Sequence, residues 1–115
     1  MIEQALKACI ARHLAHAAMV YRLDDELGTH HGLSWADFVL LTALDAASEA
    51  TPAKELARSL CMPASRLLLQ LLPLEKIGLV ERAEDSNGKR RVKLRPQGRR
   101  LLREARDTAE NACVR

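Results

Sequence analysis

Aromatic residues are nearly missing from this sequence, which has one Trp, one Tyr and one Phe among 115 residues. A surface on which the bases of single-stranded nucleic acid stack needs several exposed rings, so that mode of binding is excluded. Long apolar runs are also missing, because runs such as Leu67 to Leu69 fall far short of the roughly 18 residues of a membrane helix. Charged residues and histidines interrupt the first twenty positions, which argues against a signal peptide. We therefore expect a cytoplasmic protein without membrane contacts.

Motifs of enzymes and metal scaffolds are missing as well. The three cysteines, Cys9, Cys61 and Cys113, are odd in number and include no C-x-x-C pair, which argues against a disulfide framework or a zinc finger. No glycine-rich phosphate loop, G-x-S-x-G elbow or constellation of paired carboxylates is present. We expect reduced thiols, no cofactor and no enzymatic activity.

Charge is distributed unevenly along the chain, although the net charge is only +3. Residues 1–50 carry three basic and seven acidic side chains, whereas residues 51–106 carry fourteen basic and six acidic ones. Such a basic second half suggests a polyanionic partner, with a basic surface kept for solubility as the alternative.

Helical periodicity dominates the first eighty residues. Residues 2–27 predict a first helix that Gly28 ends, and this helix carries two apolar stripes in steps of three and four residues. One small domain does not need both stripes, so we interpret one as packing on its own domain and the other as facing a second copy. The predicted dimer residues are Ile2, Leu6, Cys9, His13 and His16.

Three further helices, a hairpin and a last helix follow. Ser34 opens the second helix, Thr51 caps the third with Pro52 at its first position, and the fourth runs from Pro63 to about Ile77. Only Cys61 and Met62 separate the third and fourth helices, which predicts a helix-turn-helix. The predicted strands are Leu79–Ala83 and Arg91–Arg95, joined by a loop from Glu84 to Arg90, and the last helix runs from Gln97 to about Ala112.

The predicted fold class is mainly α (α+β), a winged helix-turn-helix with the order α-α-α-α-β-β-α, because a basic hairpin directly after a helix-turn-helix is a wing. We expect one domain over residues 1–115. Its predicted parts are a dimerisation helix at 1–28, the helix-turn-helix at 51–78, the wing at 79–95 and a C-terminal helix at 96–115.

The fourth helix is the candidate DNA-reading element, since such a helix enters a major groove about 12 Å wide. On a helical wheel Leu67, Leu71 and Leu74 form its core side, with Leu69 and Leu72 opposite. Arg pairs with guanine and Gln with adenine, whereas Leu can contact only a thymine methyl. The candidate DNA-binding residues are Thr51, Lys54, Ser65, Arg66, Leu69, Gln70, Lys89, Arg90 and Arg91.

Four segments resemble the MarR family of bacterial winged-helix transcription regulators. They are Gly32-Leu-Ser-Trp-Ala-Asp-Phe, Lys54-Glu-Leu-Ala-Arg, Leu74-Glu-Lys-Ile-Gly-Leu-Val-Glu-Arg and Leu94-Arg-Pro-Gln-Gly-Arg-Arg-Leu-Leu. The resemblance covers about residues 32–103. It implies a homodimer that binds palindromic promoter DNA, usually as a repressor, and that a small phenolic effector or thiol oxidation often releases.

The chain departs from the family pattern in three places. Ser-Asn-Gly-Lys separates Asp85 from Arg90 and Arg91 in the wing, where the family usually has the acid just before the Arg pair. Arg95 replaces the usual capping Thr of the last helix, a cap worth about 1 kcal/mol. The sequence ends at Arg115, where the family continues through a long dimerisation helix, an outline similar to the compact SarA-type members. On this resemblance, we expect the first helix to carry the dimer.

Three alternatives remain open at this point. Exposed Leu69 and Leu72 could instead bind a protein, which would make the chain a winged-helix interaction module. Cys9 and Cys113 could meet across a dimer as a thiol switch, although buried, inert cysteines are the simpler interpretation. A zinc site is disfavoured because two of the four histidines fall on an apolar stripe and the other two, His30 and His31, are predicted in a loop.

Overall fold

The computed structural model describes residues 1–47 and 49–114. By its contacts the chain divides into two compact units. Unit 1 comprises Met1–Trp35 and the described residues from Ala105 onward, and unit 2 comprises Ala36–Glu104. Within the described ranges, no helix combines the length and the apolar character needed to cross a membrane.

The helices and strands follow the predicted order, with one addition. A two-residue strand, β1, lies between the second and third helices. In chain order the elements are α1 (Ile2–His31), α2 (Trp35–Ala46), β1 (Thr51–Pro52), α3 (Ala53–Ser59), α4 (Ala64–Lys76), β2 (Val80–Glu84), β3 (Arg90–Leu94) and α5 (Pro96–Cys113). The last residue of the predicted C-terminal helix range, Arg115, lies outside the described residues.

Helix α1 in unit 1 is four residues longer than the sequence predicted. It continues through Gly28 and ends at Gly32, which adopts a left-handed conformation with φ 68°. Gly32 N–H donates to the Gly28 carbonyl at 3.1 Å, so Gly32 is the C-cap glycine that sequence analysis assigned to Gly28. His30 and His31 consequently lie in the last helical turn, and their predicted loop position is wrong.

Only the C-terminal part of α1 packs within unit 1. Leu23 and Leu27 are fully buried, whereas residues 1–18 are all exposed. Two hydrogen bonds hold α1 to α5 there: Arg22 Nε donates to the Ala112 carbonyl at 3.0 Å, and His31 Nε2 lies 2.8 Å from Thr108 Oγ1. The expectation that one full stripe of α1 packs on its own domain is therefore wrong for the first half of the helix.

The helix-turn-helix in unit 2 lies where the sequence predicted it, but its entry differs. Thr51 does not cap α3; it pairs with Val92 in β1, and Pro52 occupies the N-cap position without a side-chain cap hydrogen bond. The turn between α3 and α4 includes Cys61, whose φ of 55° is unusual for a non-glycine residue. Four residues, 60–63, join the two helices, two more than the sequence predicted.

The sheet and α5 complete unit 2. The strand order is β1-β3-β2, and both pairs are antiparallel, with Val80 opposite Leu94 and Glu84 opposite Arg90. Helix α5 approaches this sheet so closely at Gly98 that a Cβ there would lie 2.3 Å from the Leu79 carbonyl oxygen. The core consists of apolar side chains that α2, α3, α4, the sheet and α5 contribute: Leu40, Leu41, Leu44, Leu56, Leu67, Leu71, Leu74, Leu79, Val80, Val92, Leu94 and Leu102.

Candidate nucleic-acid interface

Helix α4 separates a core side from an exposed side, as its periodicity predicted. Leu67, Leu71 and Leu74 are buried. On the opposite side, Leu69 is 71% exposed and Leu72 is 42% exposed. Leu69 and Leu72 thus place two accessible apolar side chains on the same side of α4, where neither contributes to the core.

Gln70, a candidate adenine reader, already has a partner inside the chain. Its Nε2 donates to Asp37 Oδ1 of α2 at 3.2 Å, and the residue is only partly exposed. The side chain of Arg66, one turn earlier, is exposed. Gln70 therefore serves to hold α4 against α2, and its predicted base contact would require this hydrogen bond to break.

A single carboxylate organises the tip of the wing. Asp85 Oδ1 accepts the backbone N–H groups of Asn87 and Lys89, both at 2.9 Å, and Gly88 adopts φ 74° in the turn between the strands. Asp85 Oδ2 accepts Arg91 Nε at 2.9 Å. The hydrogen bond from Arg91 is the largest cause that lowers the pKa of Asp85 below its ordinary value. The four residues between Asp85 and the Arg pair therefore do not prevent an ion pair between Asp85 and Arg91.

Arg91 extends this tie to the other edge of the sheet. Its Nη1 donates to the Ala50 carbonyl at 3.2 Å, just before β1. One guanidinium therefore links the wing tip and the segment that leads into α3. This internal role differs from the predicted one, in which Arg91 contacts DNA together with Arg90.

A second ion pair ties α4 to the wing. Arg82 of β2 donates from Nε and Nη2 to Glu75 Oε1 at 3.1 and 2.9 Å, and its backbone N–H reaches Glu75 Oε2 at 3.3 Å. The side-chain hydrogen bond from Arg82 is the main cause that lowers the pKa of Glu75. This ion pair thus links α4 and β2 across the turn at Gly78.

An open groove of about 870 Å³ lies between α3, α4 and the hairpin. Among the described residues, three cations that line it, Lys54, Lys89 and Arg90, form no ion pair, whereas the carboxylate of Glu75 is neutralised by Arg82. Glu84 also lines the groove and lies opposite Arg90 in the sheet. The excess of unpaired cations favours a negatively charged occupant.

Solved structures with the same arrangement are transcription regulators. The regulator BldR from Sulfolobus solfataricus is 27% identical, with a TM-score of 0.84 over 96% of this chain and 79% of that chain. A MarR family regulator from Streptomyces coelicolor in complex with DNA is 24% identical, with a TM-score of 0.83 over 95% of this chain and 71% of that chain. CouR from Rhodococcus jostii, bound to p-coumaroyl-CoA, is 19% identical, with a TM-score of 0.79 over 93% and 73%.

The chain has the winged-helix fold of these MarR-type regulators. The resemblance in the sequence is thereby confirmed, although no family model matches the sequence and no curated protein matches it significantly. The neighbours are transcription regulators and not enzymes, which supports the expectation of a protein without enzymatic activity.

The candidate DNA-binding residues fall into two groups. The groove brings together Lys54, Ser65, Lys89, Arg90 and Arg91. Arg66 and Leu69 lie instead on exposed positions of α4, Gln70 contacts α2, and Thr51 lies in the sheet.

Sequence analysis assigned no role to Glu75 and Arg82, whose ion pair holds the wing against α4. Glu75 and Arg82 are seven residues apart across the turn at Gly78, a spacing that could have suggested their pairing.

The predicted residues of unit 1 are all accessible. None of the candidate dimer residues is buried within the chain: Ile2, Leu6, Cys9, His13 and His16. Cys61 and Cys113 are exposed as well, so the interpretation of the cysteines as buried is wrong.

Proposed function

We propose that the protein is a sequence-specific, DNA-binding transcription regulator that acts as a homodimeric repressor on a palindromic promoter site. The observation that carries this proposal is the set of unpaired cations along the groove between α4 and the wing. Lys54, Lys89 and Arg90 would contact phosphates there, and Arg66 would reach a base edge. The neighbour solved in complex with DNA supports the same assignment.

Homodimerisation is supported by the exposed first half of α1. Leu6, Ile10 and Leu14 are 51–63% exposed, and their spacing places them along one helix. Burial of such side chains against a second copy would contribute about 25 cal/mol per Å² of apolar surface. A dimer also suits a palindromic site, because the two-fold symmetry of the protein then matches that of the DNA.

A protein-interaction module is the second candidate function. The exposure of Leu69 and Leu72 favours it, since an accessible apolar face is typical of protein-binding surfaces. A thiol-responsive regulator that uses Cys9 and Cys113, and a small-molecule effector like the ligand of CouR, stay predictions.

Fluorescence anisotropy with duplex DNA separates DNA binding from the protein-interaction module. The probe is DNA from upstream of the protein's own gene, with a scrambled duplex beside it, and affinity is measured over a series of salt concentrations. A log-log slope of about −0.9 per neutralised phosphate is expected for a regulator of this kind. Affinity that does not depend on salt, or equal binding to both duplexes, would contradict the proposal.

Arg90→Ala and Lys7→Ala form a matched pair for this experiment. Each removes one exposed cation, but only Arg90 lines the groove. We expect Arg90→Ala to weaken binding to both duplexes and to reduce the salt slope by about one, whereas Lys7→Ala leaves both unchanged. Arg66→Ala should in addition reduce the difference in affinity between the specific and the scrambled duplex. Equal effects of Arg90→Ala and Lys7→Ala would show that the groove is not the DNA contact.

A further inference from the structure

Leu69 occupies the centre of the exposed face of α4. It is 71% exposed, and the polar or charged residues Ser65 and Lys76 lie along the same side of the helix. A leucine side chain offers no hydrogen bond, so whatever covers it must present an apolar group at that point. Its position places it at the surface that a bound DNA duplex would meet.

Fewer polar side chains of α4 are available to contact base edges than the sequence suggests. The Gln70 amide is engaged by Asp37 at 3.2 Å. Ser65 and Arg66 remain as exposed side chains able to form hydrogen bonds with base edges in the first turn. Leu69 is next along the helix, so the exposed side of α4 presents an apolar side chain beside these two polar ones.

The charges around Leu69 favour DNA over an apolar protein surface as its partner. Among the described residues, Arg66 on the same helix forms no ion pair, nor do Lys89 and Arg90 at the wing. Unpaired cations on α4 and on the wing suit a polyanionic partner. The apolar group that unmodified DNA exposes on its base edges in the major groove is the C5-methyl of thymine.

We propose that Leu69 reads a thymine methyl group in each half-site of the operator. This inference rests on the proposed function and adds to it the chemistry of one base contact. It implies that the protein distinguishes thymine from uracil at that position, although both bases pair with adenine and present the same hydrogen-bonding groups.

The test starts from a duplex selected by the full-length protein from a random library. Each thymine of that duplex is then replaced in turn by deoxyuridine, which removes one methyl group and leaves every hydrogen bond in place. We expect affinity to fall about fourfold at the contacted thymine, the equivalent of one buried methyl, and to stay unchanged at the other positions.

Leu69→Ala and Ile77→Ala assign the effect to one side chain. Both residues are exposed, at 71% and 63%, but Ile77 follows the end of α4. Leu69→Ala should bind the thymine and uracil duplexes equally, whereas Ile77→Ala should keep the fourfold difference. Because Leu69 is exposed, its truncation should leave the unfolding temperature unchanged, which circular dichroism checks for both variants.

Three results would overturn the inference. Unaltered affinity at every uracil position would show that no thymine methyl is read. A uracil penalty that persists in Leu69→Ala would assign the methyl contact to another residue. Failure to select or bind any duplex would refute the proposed function itself, and it differs visibly from the first two results, in which DNA binding is intact.

Discussion

Residues 36–104 bury most of their leucines within the chain, whereas residues 1–18 bury none of theirs. Unit 2 has a sheet, a helix-turn-helix and three ion pairs, Glu75–Arg82, Asp85–Arg91 and Asp45–Arg99, that hold its elements together. The first half of α1 has apolar residues at helical spacing and no cover from its own chain. The difference teaches that similar hydrophobic periodicity marks a buried face in one region and an exposed face in another.

A charge on the exposed stripe of α1 is expected to have the largest effect on DNA affinity. We expect Leu6→Glu to yield monomers, and DNA affinity to fall by at least about 100-fold because the two half-sites are no longer bound together. Sedimentation equilibrium and anisotropy measure the two effects. Gln4→Glu is the control, since it adds the same charge at another exposed position of α1. A monomeric parent protein, or a Leu6→Glu variant that remains dimeric, would contradict the prediction.

Two glycines test how tightly each region is packed. Gly98→Ala would place a Cβ 2.3 Å from the Leu79 carbonyl oxygen and 2.7 Å from Leu94 Cδ1, and we expect a loss of about 1–3 kcal/mol in the free energy of unfolding. At Gly28, inside α1, the nearest atom to an added Cβ is 3.9 Å away. Gly28→Ala should therefore stabilise the protein by about 0.5–1 kcal/mol, because alanine restricts the unfolded chain and favours helix.

Thermal and chemical denaturation measure both variants against the parent protein. Equal effects of the two substitutions would mean that the close contact at Gly98 relaxes without cost.

The two neighbouring arginines of the wing, Arg90 and Arg91, are expected to differ in their contribution to stability. Arg91 contacts Asp85 and the Ala50 carbonyl, whereas Arg90 is exposed. Arg91→Ala should lower the unfolding temperature by a few degrees and speed amide exchange at Lys89, while Arg90→Ala should change neither. Hydrogen exchange followed by NMR measures the exchange rate of the Lys89 amide in both variants. Destabilisation by Arg90→Ala alone would reverse the assigned roles.

The smallest expected effect is the pH response of the wing tip. The folded state lowers the pKa of Asp85, so its stabilising contribution is present above the ordinary carboxyl pKa and is lost as the pH falls through the lowered value. The amide shifts of Asn87 and Lys89 should titrate together in that acidic range. Asp85→Asn should abolish this titration, and a midpoint above the ordinary Asp value of about 3.9 would contradict the prediction.

The sequence predicted the candidate interface well where the structure depends on residues close together in the chain. The three-and-four spacing of Leu67, Leu71 and Leu74 gave the core side of α4 correctly, and the basic hairpin gave the wing to within one residue. The ends of α1 were less predictable, because both Gly28 and Gly32 satisfy the rule for a terminal glycine. Only the packing of Leu27 and Leu33 within unit 1 selects the second.

The contacts that the sequence could not predict are those between distant residues. Strand β1 has only two residues, one of them proline, and it exists because Thr51 pairs with Val92, which is 41 positions away. The same distance in sequence separates Arg91 from Ala50, which is why the role of Arg91 in the wing was missed. Exposure of the cysteines likewise depends on tertiary packing, since composition alone favours burial.

The close approach of α5 to the sheet at Gly98 also limits what the Leu-x-Pro-x-Gly segment can reveal about a DNA target. Gly98 belongs to the Leu-x-Pro-x-Gly segment, one of the most recognisable parts of the resemblance, yet its constraint comes from the Leu79 carbonyl and not from any ligand. That segment would be needed whatever DNA the protein bound. Proteins with unrelated target genes could therefore share it, and under the proposed function we expect sequence preference to depend on the exposed residues of α4 and the wing.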